Sequence, residues 1–360
     1  MNFSKFYAEQ FDIVYITEDV KNNRYTNFMK KIIPEVPKRI IKDKSSVPQE
    51  HLNSRTLLVS SPRGKTVNRC PGSRGHICCN YLTVDLYVGC TIGCSYCIMQ
   101  SYLNFSPIIV YVEVESVIER VLKIARNNSN RQIRIGTGEV GDSLLYDPLF
   151  NISRDLIEAF AEEKNIYFEL KTKTNFIDHL LTVERKGNAV IGFSLNPPVI
   201  IQSEEGSAAG LYERLEAAKR ASEAGYLISF HFDPIFYYDT WETDYKRIID
   251  SIYHTYRIPE ETIAWISMGT FRYPPDLKDK LPLREFFLEE FIPSKDKKYR
   301  YIQKIRSRIY RSIKSYIKHY YPNLPIYMCM ESDAVWHNVF GKLPTEIPEI
   351  HDIFIHAEGV

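Results

Sequence analysis

Three cysteines, Cys90, Cys94 and Cys97, fall within eight positions of one another in the stretch LYVGCTIGCSYCIMQSYL, residues 86–103. Three thiolates so close together suit a soft metal, and their number narrows the choice. A tetrahedral zinc site takes four ligands from its chain, and structural iron–sulfur clusters are usually held by four cysteines. A loop that offers three leaves one iron of a [4Fe–4S] cluster open to a small molecule. Two plainer readings stand beside it: a zinc site completed by Cys70, Cys78 or Cys79, or three unrelated buried thiols.

A loop of this kind needs a frame. From about residue 80 the runs YLTVDLYV, IRIGTG, IYFELKT, AVIGFSLN, LISFHFDPI and AWISMG alternate with the helix-length segments VESVIERVLKIARNN, ISRDLIEAFAEEKN, FIDHLLTVER, LYERLEAAKRASEAG and WETDYKRIIDSIYHTY. That order predicts an α/β fold of parallel strands with right-handed crossovers, closed into a barrel or part of one. Chemistry in such a fold sits at the C-terminal ends of the strands. The cysteine loop, GTGEVGDS, KTKTNF, SLNPP and HFDP are then expected on one rim. Ahead of the barrel, FDIVYIT and RTLLVSS read as strands, and the polar, Pro-rich PEVPKRIIKDKSSVPQE reads as part of an irregular extension. The expected division is an N-terminal extension over 1–78, a barrel over 79–275 and a C-terminal segment over 276–360.

The bulk properties agree with an enzyme of the cell interior. The 360 residues are 44% hydrophobic and 25% charged, with net charge +1 and no apolar run long enough to cross a bilayer. The opening MNFSKFYAEQFDIVYITEDV lacks the features of a signal peptide, so a cytoplasmic protein without membrane association is expected. Seven cysteines, an odd total with three clustered, fit a reducing compartment with metal or redox chemistry.

Other rim segments carry groups suited to a charged ligand. IGTGE ends the second strand with two glycines and Glu139, and Gly138 would let a ligand approach the backbone; alone, such a segment is a turn. Lys171 and Lys173 lie just past the third strand, where an ammonium can pair with a carboxylate, or simply be solvated. Ser194 and Asn196 follow the fourth strand as short hydrogen-bonding groups, or as a turn into Pro197 and Pro198. The spacing C-x3-C-x2-C with Tyr96 inside it resembles radical S-adenosylmethionine (SAM) enzymes, whose open iron chelates SAM.

Over most of its length the chain resembles the spore photoproduct lyase family of those enzymes. The likeness is carried by the cysteine loop continuing into QSYL, by YVEVESVIERV, GD at 141–142, KTNFIDHLL, GFSLNPPVI, EEGSAAGLYERLEAAKRASEAGY, DPIFYYDTWETDY and YPNLPIYMCMES. The resemblance implies a partial (β/α)6 barrel whose reaction is direct reversal of a methylene-bridged thymine dimer formed by ultraviolet light. It implies that Cys90, Cys94 and Cys97 hold the cluster, that Lys173 and Ser194 contact SAM, and that Gly138, Glu139 and Asn196 belong to the same pocket. An electron donor such as flavodoxin or ferredoxin is implied as well.

Three departures from the family pattern bear on the steps after radical formation. Where the family has a cysteine that returns hydrogen to the thymine radical, this chain has Glu139, whose O–H bond is too strong for that role. Ile98 replaces a tyrosine. Near the C-terminal strand the chain offers Tyr327 and Cys329, so Cys329 is the candidate substitute donor, with Tyr96 and Tyr327 as candidate catalytic aromatics. The alternative is a radical SAM enzyme acting on another nucleic-acid base, in which Glu139 holds the SAM ammonium. Cys70, Cys78 and Cys79 have no family counterpart and read as structural, or as a second metal or redox site.

The segment SKDKKYRYIQKIRSRIYRSIKSYIKHYY has ten basic residues against the single acid Asp296. As a helix it sets Ile302, Ile305, Ile309, Ile313 and Ile317 in one stripe, which leaves the basic side chains toward solvent or phosphate. Lys297, Lys298 and Arg300 fall where the family places a DNA-contacting hairpin, so DNA is the expected partner.

Overall fold

Five of the six strand-like runs, and the first part of YLTVDLYV, pair in one sheet. The computed structural model describes residues 2–103 and 107–360. In chain order the strands are β1 (Ile13–Thr17), β2 (Lys38–Ile41), β3 (Thr56–Ser60), β4 (Val67–Arg69), β5 (Leu82–Val84), β6 (Tyr87–Val88), β7 (Ile108–Tyr111), β8 (Ile133–Thr137), β9 (Ile166–Thr172) and β10 (Ala189–Ser194). They continue as β11 (Leu227–Ile235), β12 (Ile263–Thr270), β13 (Arg272–Tyr273), β14 (Phe291–Pro293), β15 (Tyr299–Tyr301) and β16 (Ile326–Met328). The main sheet runs β16-β12-β11-β10-β9-β8-β5-β4. Every pair in it is parallel except β4 with β5, so the sheet curls as a partial barrel with its strand ends on one rim.

Strand β8 (IRIGT) is buried throughout and β10 (AVIGFS) nearly so, as continuous apolar runs covered on both faces should be. The helices between them turn an apolar stripe toward the sheet: in Val114–Asn127 it is Val117, Val121 and Ile124 that are buried. Inside the barrel the filling is partly polar. Glu169 accepts hydrogen bonds from Ser229 Oγ at 2.5 Å and Trp265 Nε1 at 3.1 Å, and its carboxylate lies 2.8 Å from His231 Nε2. Burial alone would raise the Glu169 pKa, but His231 and Arg134 bring it well below the usual carboxylate range.

Two expectations are corrected. The stretch PEVPKRIIKDKSSVPQE is not wholly irregular: its Lys38–Ile41 is β2, which joins the expected strands β1 and β3 in a parallel core that β7 extends, giving a five-stranded sheet β2-β1-β3-β7-β6. YLTVDLYV therefore divides, with Leu82–Val84 in the barrel and Tyr87–Val88 in this second sheet, and the extension shares the main core. FIDHLLTVER is a series of turns, not a helix, closed by Leu180 N–H to Ile177 C=O at 2.8 Å and Val183 N–H to Leu180 C=O at 3.1 Å. Among the described residues, no helix is long and apolar enough to cross a membrane.

Candidate active site

The cysteine loop follows β6 and is fastened by the segment after β10. Ser95 N–H donates to Glu204 C=O at 2.8 Å and its hydroxyl to the Glu204 carboxylate, while Ser207 N–H donates to Ile92 C=O at 2.9 Å. Gly206 makes this approach possible, since a Cβ there would lie 2.0 Å from the Ile92 carbonyl oxygen. Beneath the loop is a buried polar lock. Tyr96 donates to Glu205 at 2.5 Å, Asn196 donates to the same carboxylate at 2.8 Å, and Arg214 pairs with its other oxygen at 2.5 Å. Arg214 also donates to Ser194 C=O and Ala209 C=O, both at 2.8 Å. Against a burial that would raise it, Lys173 and Arg214 hold the Glu205 carboxyl below its ordinary value.

This geometry divides the residues singled out from sequence. Tyr96 and Asn196 are buried and have their polar groups committed to Glu205, with Tyr245 donating to Asn196 Oδ1 at 2.9 Å. Both thereby tie the loop to the Glu205 carboxylate. Glu205 and Arg214 join the site without a sequence signal of their own, although the motif EEGSAAGLYERLE contains both. Two charges on either side of the turn between the helices Pro198–Glu204 and Leu211–Glu223 give no sign that they meet under the cluster loop.

Gly138, Glu139, Lys171, Lys173 and Ser194 do come together along adjacent strand ends. Gly138 has φ +96°, and a Cβ would lie 2.7 Å from Ser143 Oγ and 3.0 Å from the Lys171 carbonyl oxygen. Glu139 is half-buried, 3.4 Å from Lys171 Nζ and 3.9 Å from Cys70 Sγ. Asp142 joins the second strand end to the third: it accepts from Leu144 and Leu145 N–H at 3.0 and 2.9 Å, from Thr172 Oγ1 at 2.8 Å and from Lys173 N–H at 2.7 Å. Lys173 is thereby fixed between the lock and the cysteine loop, and its charge counts at both Cys94 and Glu205.

The setting of the three thiols suits a cluster. Among the described residues, no group of three or more His, Cys, Asp or Glu side chains is already drawn together as a metal site. The cysteines are free, and Gly89 and Gly93 supply the positive φ values that their tight loop requires. Burial pushes the Cys94 thiol up to about 12; Lys173 opposes this, while Glu205 and Cys97 add to it. A bound cationic iron centre would outweigh the mutual repulsion of the three thiolates and hold them deprotonated, and the donor set fits a cluster with one open iron.

Comparison with known proteins agrees with this reading of the fold. The family model for spore photoproduct lyase matches residues 69–275, more than half of the chain. The chain belongs to the spore photoproduct lyase family. It is 27% identical over 170 residues to the spore photoproduct lyase of Bacillus subtilis, covering 47% of this chain and 50% of that protein. It is 25% identical over 198 residues to that of Clostridium acetobutylicum, covering 54% and 56%. By sequence, then, the chain spans about half the length of the curated relatives it matches. In structure it is similar to a spore photoproduct lyase with bound AdoMet and dinucleoside spore photoproduct, with a TM-score of 0.74 and 18% identity over 89% of this chain and 99% of that one. A spore photoproduct lyase complexed with dinucleoside spore photoproduct gives a TM-score of 0.73 at 19% identity, covering 88% and 98%.

Within this family fold, the far side of the rim is formed by the ends of β11, β12 and β16. Asp233 pairs with Arg272 at 3.0 Å, and Cys329 follows β16, its N–H donating to Met268 C=O at 2.8 Å. Tyr327 is buried two residues earlier on the same strand, its hydroxyl accepting from Arg134 at 2.8 Å. The basic segment is corrected in part. Arg300 and Arg306 are buried and internally paired, Arg300 with Asp296 at 2.5 Å and Arg306 with Glu331 at 3.0 Å, so neither faces solvent. Residues 294–298 form the tip between β14 and β15, where Lys295 and Lys297 are exposed and Lys298 reaches Ser73 Oγ at 3.4 Å. In the helix Gln303–Tyr320, Ile309, Ile313 and Ile317 are buried as the stripe predicted.

Proposed function

We propose that this chain is a radical SAM lyase of the spore photoproduct type, acting on the methylene-bridged thymine dimer in DNA. The observation that carries the reading is the three-thiol loop facing Gly138, Glu139, Lys173 and Ser194 on one rim, inside the segment matched by the family model. Cys90, Cys94 and Cys97 would hold a [4Fe–4S] cluster, which when reduced supplies the electron that cleaves SAM to the 5'-deoxyadenosyl radical. Lys173 pairs with the SAM carboxylate and Glu139 with its ammonium, Gly138 gives backbone access, and Ser194 adds a hydroxyl. The Glu205–Arg214 lock keeps the loop from shifting as charge changes above it.

The substrate would lie across the rim toward β16. The exposed lysines of the 294–298 tip neutralise phosphate, and extrusion of a damaged dimer from the stack costs less than that of a sound pair. Cys329 at the end of β16 is the hydrogen donor in place of the cysteine that Glu139 displaces. Flavodoxin or ferredoxin is the electron donor that fits, and a cytoplasmic location fits the free thiols.

The test is anaerobic reconstitution followed by reaction with dithionite, SAM and a dinucleotide or oligonucleotide carrying the dimer. The reading requires 5'-deoxyadenosine from SAM and restored thymines from the lesion. SAM cleavage without thymine release at saturating substrate would retain the radical chemistry and reject the lesion as substrate. Failure to form a cluster would reject both.

A further inference from the structure

Three cysteines that the proposed chemistry does not use, Cys70, Cys78 and Cys79, meet Cys329 at the mouth of the barrel. Cys70 directly follows β4, and Cys78 and Cys79 close the loop that returns to β5. The loop is pinned to the segment after β16 by an antiparallel bridge, Ile77 opposite Glu331, with Ile77 N–H donating to Glu331 C=O at 2.8 Å. That bridge sets the two cysteine-bearing segments side by side, with Cys79 and Cys329 each two residues from it. The thiols of Cys79 and Cys329 are in hydrogen-bond contact, as are those of Cys78 with Cys79 and of Cys70 with Cys78.

The four are not equivalent. Cys79 is buried, while Cys329 is partly exposed and so within reach of small molecules. Hydrogen bonds from Cys329 and Cys78 hold the Cys79 thiol well below its ordinary range despite its burial, and Arg134 and Lys171 add to the effect. Cys329 is pushed the other way, first by its bond to Cys79 and then by burial.

We propose that Cys79 and Cys329 form a redox-active dithiol that interconverts with an intramolecular disulfide by exchange with small thiols and disulfides of the glutathione class. In the reducing direction a small thiolate attacks the accessible Cys329 sulfur. The Cys79–Cys329 bond breaks, its electron pair leaves on Cys79, and a mixed disulfide forms at Cys329. A second small thiolate attacks the small-molecule sulfur of that adduct, releasing Cys329 as thiolate, which takes up a proton. The net change is one protein disulfide and two small thiols converted to two protein thiols and one small disulfide. Cys79 is the better leaving group because a low-pKa thiolate departs faster, and Arg134 and Lys171 stabilise it where it sits. The same stabilisation of the reduced form makes the pair an easily reduced one. Oxidation runs the path backwards, with Cys79 as the attacking thiolate.

Oxidation of the pair would withdraw the thiol hydrogen assigned above to Cys329, but the exchange itself needs neither SAM nor the lesion, so failure of the repair assay leaves its assignment intact. The reconstituted full chain is treated anaerobically with oxidised glutathione, free thiols are alkylated, and peptides from a combined trypsin and chymotrypsin digest are mapped. The expected product is a disulfide joining the 75–81 peptide to the peptide containing Cys329, removed by dithiothreitol and retained in Cys78→Ala. In Cys79→Ala the cross-link should vanish and Cys329 should carry glutathione instead. Cys329 recovered alkylated or glutathionylated in the wild type, or a cross-link that disappears in Cys78→Ala, would overturn the assignment. Because the wild type and Cys78→Ala decide it together, the result survives poor folding of Cys79→Ala.

Discussion

Arg214 and Glu205 form a fully buried ion pair at 2.5 Å, directly beneath the loop that carries Cys90, Cys94 and Cys97. Each has its remaining capacity used: Glu205 accepts from Tyr96 and Asn196, and Arg214 donates to two carbonyls. Removing the guanidinium would strand a carboxylate without solvent. Arg214→Met should therefore cost about 3–5 kcal/mol, read by denaturant unfolding of the reconstituted chain. Arg214→Lys should recover part of that loss, because one ammonium can pair with Glu205 but cannot reach all three acceptors. A loss below about 1 kcal/mol for Arg214→Met would show that the lock does not bear on stability.

The same lock sets a pH dependence. The Glu205 carboxyl is held below its ordinary value by Lys173 and Arg214 against burial, and Asp147 is held below its own by His179 against burial. A carboxylate depressed in the folded state contributes stability that is complete above its unfolded pKa and fades as pH falls through the folded one. Melting temperature should be level above about pH 6 with respect to these groups and should decline below about pH 4, near the unfolded carboxylate values. Glu205→Gln should melt lower at neutral pH and lose less on acidification than the wild type. An equal acid loss in both would remove Glu205 from the explanation.

Legibility in the sequence tracks physical range. The cysteine loop and the six parallel strands are readable because their signals are local: fixed spacing in one, apolar runs of strand length in the other. The N-terminal sheet is not, since β2 is four residues long and the pairings of β1 with β3 and of β3 with Ile108–Tyr111 join segments far apart in the chain. FIDHLLTVER has helical spacing in Ile177, Leu180 and Leu181, yet tertiary packing of Ile177 and Leu180 is met equally well by successive turns. Arg300 and Arg306 read as solvated because their partners cannot be assigned from spacing; Glu331 lies far along the chain, and Asp296 reads as an isolated acid. Charge count alone does not reveal which cations are already neutralised.

Asp142 should matter to SAM binding without touching SAM. Its Oδ2 accepts from the Lys173 N–H at 2.7 Å, while Oδ1 gathers Leu144, Leu145 and Thr172. Asp142→Asn must set an amide N–H₂ against at least one of these donors, at a cost of about 1–3 kcal/mol for an unmet buried group. Equilibrium dialysis should show SAM affinity falling roughly tenfold, equivalent to about 1.4 kcal/mol. Glu139→Gln should weaken SAM binding as well, through loss of the carboxylate for the ammonium. If Glu139→Gln binds SAM as tightly as the wild type, its pairing with Lys171 is structural and the ammonium is held elsewhere.

The hairpin tip separates cations that are free from cations that are committed. Lys295 and Lys297 are exposed, whereas Arg300 is buried against Asp296. Replacing Lys295 and Lys297 with alanine should weaken oligonucleotide binding and lower the slope of log affinity against log salt by about 0.9 for each duplex phosphate no longer neutralised. Melting temperature should stay near the wild-type value. Arg300→Ala should do the reverse in kind, lowering stability by about 3–5 kcal/mol because Asp296 loses its buried partner. Unchanged salt dependence in the double lysine variant would move the nucleic-acid surface away from this hairpin.

Under the proposed repair reaction, with Glu139 matched to the family's thiol position, the hydrogen returned to the substrate radical has to come from elsewhere. A thiol hydrogen is the only weakly bound one that the described rim residues offer beyond the cluster loop, and Cys329 presents it from the end of β16, near Asp233 and Arg272. Cys70 and Cys78 are in contact with each other on the loop above, and Cys79 is buried beneath it, so Cys329 is the better placed. Cys329→Ala should leave the rate of SAM cleavage intact while the repaired dinucleotide falls at least tenfold and radical-derived side products rise. Deuterium from solvent should enter the product of the wild type, since S–H exchanges with water, and should be lost with the variant. Clean repair with unchanged deuterium content in Cys329→Ala would exclude the residue as donor, leaving Tyr327, whose hydroxyl is held by Arg134 at 2.8 Å, as the group to examine by the same isotope measurement.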